Sequence, residues 1–292
     1  MKATFKDYLT LCKPRVVLLM ILTSMVGIAL APSVNFPFMA MSLGNIGIAL
    51  VAFSAATLNH VADQHIDKLM RRTERRPIVQ GRISTKNSLL FALILCLLGM
   101  GILIIYINTL TAILAFISLV GYAICYTLFL KHITPQNIVI GGIAGAAPPL
   151  LGWTAVTNSI QAEALILVLI IYVWTPPHFW ALAIYRLEDY AKANIPMLPH
   201  THGVPFTKLN ILLYTILLIC ASLMPYFIGM SHGIFLIGVI IANGFFLYYA
   251  FQLYRNEDKK HAIQLFRYSI YYLGILFLLL LIDHYLYREV II

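Results

Sequence analysis

Residues 43–77 read LGNIGIALVAFSAATLNHVADQHIDKLMRRTERRP. The stretch opens as an apolar run of spanning length (43–63), and about 20 apolar residues suffice to cross a bilayer. A crossing segment of this length must satisfy its own backbone polar groups and is therefore helical. On that helix Asn59, Asp63 and Asp67 stand at i, i+4 and i+8 and share one face. The chain has only 11 acidic residues in 292, so two of them plus an amide at a membrane boundary is a concentrated feature. Carboxylates are costly near hydrocarbon and tend to be functional there. Oxygen ligands on one face suit Mg²⁺, which takes one or two protein carboxylates and completes its shell with water and substrate phosphates. Arg71, Arg72, Arg75 and Arg76 follow at once, and arginines suit phosphates. A bland alternative is a helix end with solvated charges. It accounts for an isolated Asp better than for this row. Arg72 and Arg76 are themselves four apart. Two of the four arginines are expected at the substrate, the others serving only topology.

Working outward, the chain is 61% hydrophobic with a mean hydropathy of +0.88, against about 45–50% apolar in a soluble domain. A polytopic all-α membrane protein is expected, with almost nothing left over for a soluble domain. The net charge of +9 does not indicate nucleic acid. The charges sit in short loops between apolar runs, as topology signals do. Cys12, Cys96, Cys125 and Cys220 are scattered with no CxxC pair, and suit small membrane residues better than a metal site or disulfide framework.

Apolar runs of spanning length lie near 15–32, 43–63, 88–106, 109–129, 138–156, 163–185, 208–228, 232–253 and 268–286. The first, preceded by Lys2, Lys6, Lys13 and Arg15 and ending Ala29-Leu30-Ala31, has features of a signal peptide. An uncleaved span is the preferred reading. Nine spans with the N-terminus inside put 19 of the lysines and arginines on inner segments and leave only Arg288 outside. That asymmetry predicts a cytoplasmic N-terminus, an outer C-terminus and a cytoplasmic location for the Asn59–Asp67 row, in a cell inner membrane. The two long inner loops, 64–87 and 186–207, both begin with charges and continue Arg76-Pro77-Ile78-Val79 and Ile195-Pro196-Met197-Leu198-Pro199. They read as a weak internal repeat. One membrane domain (1–292) of two similar halves, about 10–130 and 131–290, would bring them together over a central cavity.

The second inner segment reads PPHFWALAIYRLEDY over 176–190. Tyr185 and Asp189 are four apart, so one face is expected to hold both, with Asp189 a further Mg²⁺ ligand and Arg186 a phosphate contact. A Tyr/Arg interfacial anchor is the alternative. His178 lies two turns deeper on nearly the same face. It suits a haem ligand or a hydrogen-bonded structural histidine beside a Pro-Pro kink, and the residues leave both open. In Asn137–Trp153 the small residues Gly141, Gly142 and Gly145 suit close helix packing, or room for an isoprenoid or flat macrocycle. Lys131 suits a phosphate contact or a topology marker. There is no P-loop, GxSxG, HExxH or Rossmann pattern, so ATP hydrolysis, serine hydrolysis and dinucleotide chemistry lack support.

Asn59-x3-Asp63-x3-Asp67 with Arg72-Thr73-x2-Arg76 resembles the first signature of the UbiA superfamily of membrane prenyltransferases. Tyr185-Arg186-x2-Asp189-Tyr190-x2-Ala193-x2-Pro196-x-Leu198-Pro199 is similar to its haem O synthase branch. Lys13-Pro14-Arg15-Val16, Tyr126-Thr127 with Lys131, Gly145-Ala146-x-Pro148-Pro149 and Pro177-His178 extend the likeness from about residue 8 to 285. One departure is Tyr185, where many superfamily members carry the first aspartate of a second DxxxD. It puts a full second Mg²⁺ site in doubt.

The resemblance implies a UbiA-like bundle that transfers farnesyl from farnesyl diphosphate to the 2-vinyl group of haem b. The products are haem O and diphosphate. It implies Mg²⁺ as cofactor, with Asn59, Asp63, Asp67 and Asp189 as metal and catalytic residues. Arg72, Arg76, Lys131, Tyr185, Arg186 and His178 fall to the substrates, with the Tyr126 and Tyr185 rings as candidates to stabilise an allylic cation. Implied partners besides the bilayer are haem-copper oxidase assembly or haem A synthase. The alternatives are a prenyltransferase acting on an aromatic quinone precursor, a transporter of an anionic solute, and a non-catalytic membrane assembly factor.

Overall fold

The computed structural model describes residues 3–70, 73–192 and 195–291, with side chains as far as 287. Every regular element among the described residues is helical, as a chain surrounded by hydrocarbon requires. Among the described residues, eight helical stretches are long and apolar enough to cross a membrane: Ala40–Ala62, Thr85–Ile107, Thr109–Ile133, Asn137–Thr157, Ala162–Tyr185, Val204–Phe227, Gly233–Arg255 and Lys259–Tyr287. The bent pair α1 (Phe5–Leu11) and α2 (Pro14–Leu30), 54° apart, is long and apolar enough for a ninth when taken as one broken span. Each sequence-predicted span thus finds its helix in a multi-pass membrane protein. The last begins at Lys259 rather than near 268, because the helix continues through a charged turn that hydropathy alone discards.

The bend between α1 and α2 has a local cause. Pro14 occupies the first turn of α2, where its missing N–H costs nothing, and the residue before a proline is pushed out of the right-handed helical region. Lys13 takes φ 48, ψ 57, in the left-handed region. A non-glycine residue there is strained by about 1–2 kcal/mol.

Two compact units divide the chain, residues 1–160 with 189–195, and residues 161–188 with 196–292. The first contains α1, α2, α3 (Asn45–Ala62), α4 (Gln64–Asp67), α5 (Thr85–Ile102), α6 (Thr109–Val120), α7 (Lys131–Ile133), α8 (Asn137–Ala146) and α9 (Pro148–Thr157). A π-helical stretch, Gly121–Leu130, joins α6 to α7. Ile48, Val51, Ala55, Leu103, Ala112, Ala115, Leu119 and Leu151 form its core. Missing side chains set the closest contacts. A Cβ on Gly27 would stand 2.1 Å from the Pro149 carbonyl oxygen, and one on Gly152 would stand 2.0 Å from that of Ser24, so α2 and α9 touch backbone to backbone. Gly141 faces the Tyr126 ring, 2.2 Å from where a Cβ would sit. Gly145 faces open space, so no neighbouring helix among the described residues packs against it.

The loop after α4 is pinned from below. Ile78 and Ile83 are buried with Leu11 of α1, and Arg82 bonds Asp7 at 2.7 Å. The second unit holds α10 (Ala162–Tyr185), α12 (Leu198–Thr201), α13 (Val204–Phe227), α14 (Gly233–Arg255) and α15 (Lys259–Ile291). α11 (Leu187–Lys192) spans the unit boundary. Within the second unit Ser222, Asn243 and Tyr272 form a satisfied buried polar knot. The Tyr272 hydroxyl donates to Asn243 Oδ1 at 2.8 Å, and Asn243 Nδ2 donates to Ser222 Oγ at 2.9 Å. Such bonds hold helices together where lipid supplies no hydrophobic drive.

Candidate active site

α3 ends at Ala62, and Asp63 is its C-cap with φ −81, ψ 0. The turn does not break the row. The Asp63 N–H donates to Asn59 O and the Asp67 N–H donates to Asp63 O, both at 2.9 Å. Helical bonding therefore carries Asn59, Asp63 and Asp67 onto one side, as the spacing predicts. All three are buried, at 4%, 5% and 1% exposure.

Each then meets a basic residue from elsewhere in the first unit. Lys131 Nζ donates to Asp63 Oδ1 at 2.6 Å, Arg76 Nη1 donates to Asp67 Oδ2, and Lys13 Nζ donates to Asn59 Oδ1. Asn59 Nδ2 donates to Asp63 Oδ2 and to Thr127 Oγ1, both at 3.1 Å. Thr127 sits in the π-helical stretch and donates to Tyr122 O at 2.8 Å. Thr73 Oγ1 donates to the Asp67 carbonyl at 3.0 Å, tying the arginine-bearing loop to the end of α4. Burial pushes the Asp67 carboxyl up from the ordinary carboxylate range, and the Arg76 guanidinium opposes that shift. Lys13 lies in electrostatic range of Arg76, Asp63, Lys131 and Asp67, so four charges of both signs and its own amine share one pocket. The strained backbone of Lys13 is held by this pairing.

Of the foreseen site residues, Asn59, Asp63, Asp67, Arg76 and Lys131 come together here. Arg72 lies outside the described residues, as does Arg71. Arg75 is exposed and lines a surface recess of about 440 Å³ with Glu74, Gln80 and Arg82. Asp189 is half-buried on α11 and belongs to the first unit. The expected common face for Tyr185 and Asp189 is corrected. Tyr185 ends α10, Arg186 caps it with φ −108, ψ 28, and Asp189 lies on the next helix. No continuous helix carries their four-residue spacing. Tyr185 is exposed and Arg186 half-buried, both in the second unit.

Lys13 and Thr127 are site residues that the sequence did not single out as such. Their signals were present as Lys13-Pro14-Arg15 and Tyr126-Thr127, with no pattern to say what either side chain would touch.

In the second unit His178 is buried in α10, which runs unbroken through Pro176 and Pro177. Its ring is sandwiched between Trp174, at a centroid distance of 4.3 Å, and Phe266, at 4.6 Å. Ser269 Oγ donates to Phe266 O at 2.7 Å, which uses its only proton. The 2.6 Å contact between His178 Nδ1 and Ser269 Oγ then makes Nδ1 the donor and leaves the lone pair on Nε2. Trp174 Nε1 donates to Ser269 O at 2.8 Å, so ring and tautomer are fixed together.

The first-unit donor set fits Mg²⁺. Two buried carboxylates and an amide are hard oxygen or orienting groups. Two carboxylates with the remaining ligands from water and phosphate is the usual Mg²⁺ arrangement.

The UbiA prenyltransferase family model matches residues 20–281. A protoheme IX farnesyltransferase of Coxiella burnetii is 60% identical over 285 residues, covering 98% of this chain and 93% of that protein. A solved digeranylgeranylglyceryl phosphate synthase superposes with a TM-score of 0.81 at 20% identity, covering 96% of this chain and 98% of the other. A UbiA homolog from Archaeoglobus fulgidus, bound to GPP and Mg²⁺, superposes with a TM-score of 0.65 at 15% identity, covering 94% and 99%. At those identities the two structures speak for the fold.

Proposed function

The chain belongs to the UbiA prenyltransferase family, and we propose that the Asn59–Asp63–Asp67 row, with Lys13, Arg76 and Lys131, activates the diphosphate in its reaction. The enzyme is a prenyltransferase that moves the farnesyl group of farnesyl diphosphate onto haem b, giving haem O and diphosphate. The single observation that carries the site assignment is three buried oxygen-bearing side chains facing three basic side chains in one pocket. No acid–base pair for deprotonating a substrate is needed there. An allylic diphosphate reacts by losing its leaving group, and the barrier is dominated by charge developing on diphosphate.

Asp63 and Asp67 would hold Mg²⁺, with Asn59 as a further oxygen ligand or orienter and Asp189 as a second-segment ligand. Bound there, the ion supplies Lewis-acid neutralisation of the leaving diphosphate. Lys13, Arg76 and Lys131 supply charge-assisted hydrogen bonds to the same oxygens, with Arg72 and Arg186 as further contacts. A well-placed donor of this kind is worth about 3–4 kcal/mol, or roughly 10²–10³ in rate. The C1–O bond of farnesyl diphosphate breaks and the electron pair leaves with diphosphate. The 2-vinyl carbons of haem b then form the new C–C bond. Water adds to the resulting haem-side cation and loses a proton to solvent. The Tyr126 and Tyr185 rings are candidates for stabilising the allylic cation. His178, with its Nε2 lone pair exposed by the Ser269 bond, is the haem ligand in this reading.

The 19-to-1 bias of inner over outer basic residues supports a cytoplasmic N-terminus, an outer C-terminus and a cytoplasmic active site in a cell inner membrane. The chain acts as one prenyltransferase domain in the bilayer, with haem-copper oxidase assembly or haem A synthase downstream of its product. The test is mass analysis of haems after supplying purified protein with haem b, farnesyl diphosphate and Mg²⁺. A haem gaining one farnesyl group and one hydroxyl group is the expected product. Haem O formed equally well in the presence of excess chelator would remove Mg²⁺ from the mechanism.

A further inference from the structure

His60 follows Asn59 on α3 and is 2% exposed. Among the described residues, neither ring nitrogen has a hydrogen-bond partner. His178, also buried, has Ser269, so the two histidines are not in the same condition. Seven residues separate His60 from Asp67, close to two helical turns, and helical bonding continues through Asp63. His60 therefore lies on the side of the helix that Asp67 continues. Among the described residues, Lys13 and Arg76 are the charged groups in electrostatic range of its ring.

The chemistry of this surrounding is one-sided. An imidazole always carries at least one N–H, which needs an acceptor. Lys13 and Arg76 offer donors only. Asn59 Oδ1 accepts from Lys13 and Asp67 Oδ2 accepts from Arg76, and among the described residues neither oxygen bonds the His60 ring. A buried donor without a partner, flanked by positive charge, is matched by a ligand rich in anionic acceptors. We propose that His60 donates a hydrogen bond to a phosphate oxygen of farnesyl diphosphate and fixes that group between Lys13 and Arg76. This rests on the reading of the Asn59–Asp63–Asp67 pocket as the diphosphate site. It adds a binding residue that neither the carboxylate spacing nor the arginine run indicates, since His60 reads as one more residue of an apolar helix.

The test is equilibrium binding of the unreactive thiolo analogue of farnesyl diphosphate to the full-length protein with Mg²⁺ and without haem, repeated with inorganic diphosphate as competitor. His60→Leu is expected to weaken both probes about 10- to 100-fold, the loss of one bond to a charged acceptor. Its ligand-free thermal midpoint is expected not to fall, since an unpaired buried polar group has been removed. His60→Gln and His60→Asn each place an amide N–H near one ring nitrogen, and at least one is expected to recover binding to within about threefold. Wild-type binding by His60→Leu overturns the proposal, as does equal loss in all three variants. Asp63→Asn separates this failure from failure of the underlying reading. If Asp63→Asn keeps Mg²⁺-dependent binding, the pocket itself is misassigned. If it loses binding while His60→Leu does not, only the role of His60 falls.

Discussion

Lys131 and Asp63, 68 residues apart in sequence, form a buried ion pair with Nζ and Oδ1 2.6 Å apart. Arg76 and Asp67 form a second pair in the same pocket. The acids that would hold a divalent cation are thus already matched by the basic groups that would grip its phosphates. Pairing offsets part of the desolvation cost of burying charges of both signs.

Removing a carboxylate should stop chemistry without stopping insertion. Asp63→Ala and Asp67→Ala are each expected to lower haem O formation at least ~10²-fold, read by mass analysis against protein recovered in membranes. Normal turnover in either variant would falsify the assignment.

The Lys131–Asp63 pair should behave as a unit. Breaking a buried pair from one side typically costs about 3–5 kcal/mol, whereas replacing both partners is far milder. Lys131→Met is therefore expected to lower the thermal midpoint in detergent more than the double variant Lys131→Met with Asp63→Asn does. Equal or additive losses would mean that the two groups do not interact.

The arginines of the 71–76 run should separate. Arg76 is paired with Asp67, whereas Arg75 is exposed. Arg76→Ala is expected to raise KM for farnesyl diphosphate about tenfold or more, the effect of losing a bond to a charged acceptor. Arg75→Ala should stay within about twofold, as expected of a surface charge. Matching KM values for the two variants would argue against a substrate role for Arg76.

His178 should act on haem alone. His178→Ala is expected to weaken haem binding and alter its Soret band, leaving farnesyl diphosphate affinity unchanged. Ser269→Ala frees the tautomer and should shift the same band less. An unchanged haem titration in His178→Ala removes the residue as a ligand.

Helix contact through glycine gives a stability test independent of chemistry. Gly27→Ala must displace the Pro149 backbone, and overpacking of this kind costs about 1–3 kcal/mol. Its thermal midpoint should fall measurably, while Gly145→Ala, which meets open space, should leave it unchanged.

Much of this molecule was legible locally. Hydropathy located every span because backbone groups in lipid can be satisfied only within a helix or a closed barrel, and length then follows from bilayer thickness. The four-residue spacing placed Asn59, Asp63 and Asp67 on one side because helical bonding persists through Asp63. The same reasoning failed for Tyr185 and Asp189, where the helix stops at Arg186. Spacing predicts a shared face only while i to i+4 bonding continues.

What the sequence by itself determined is the helical membrane architecture and the row of oxygen-bearing side chains on α3 and α4, both consequences of short-range periodicity. Only the tertiary structure decided which cations meet that row. It also placed Thr127 against Asn59, left His60 without a partner among the described residues, and fixed the His178 tautomer through Ser269, 91 residues away. These contacts join residues from separate helices, and their geometry depends on how closely the helices approach. That approach is set by side chains that are absent, as at Gly27 and Gly152, where backbone meets backbone. No local pattern encodes which helix lies opposite, so the partners of a buried charge become known only when the helices are packed.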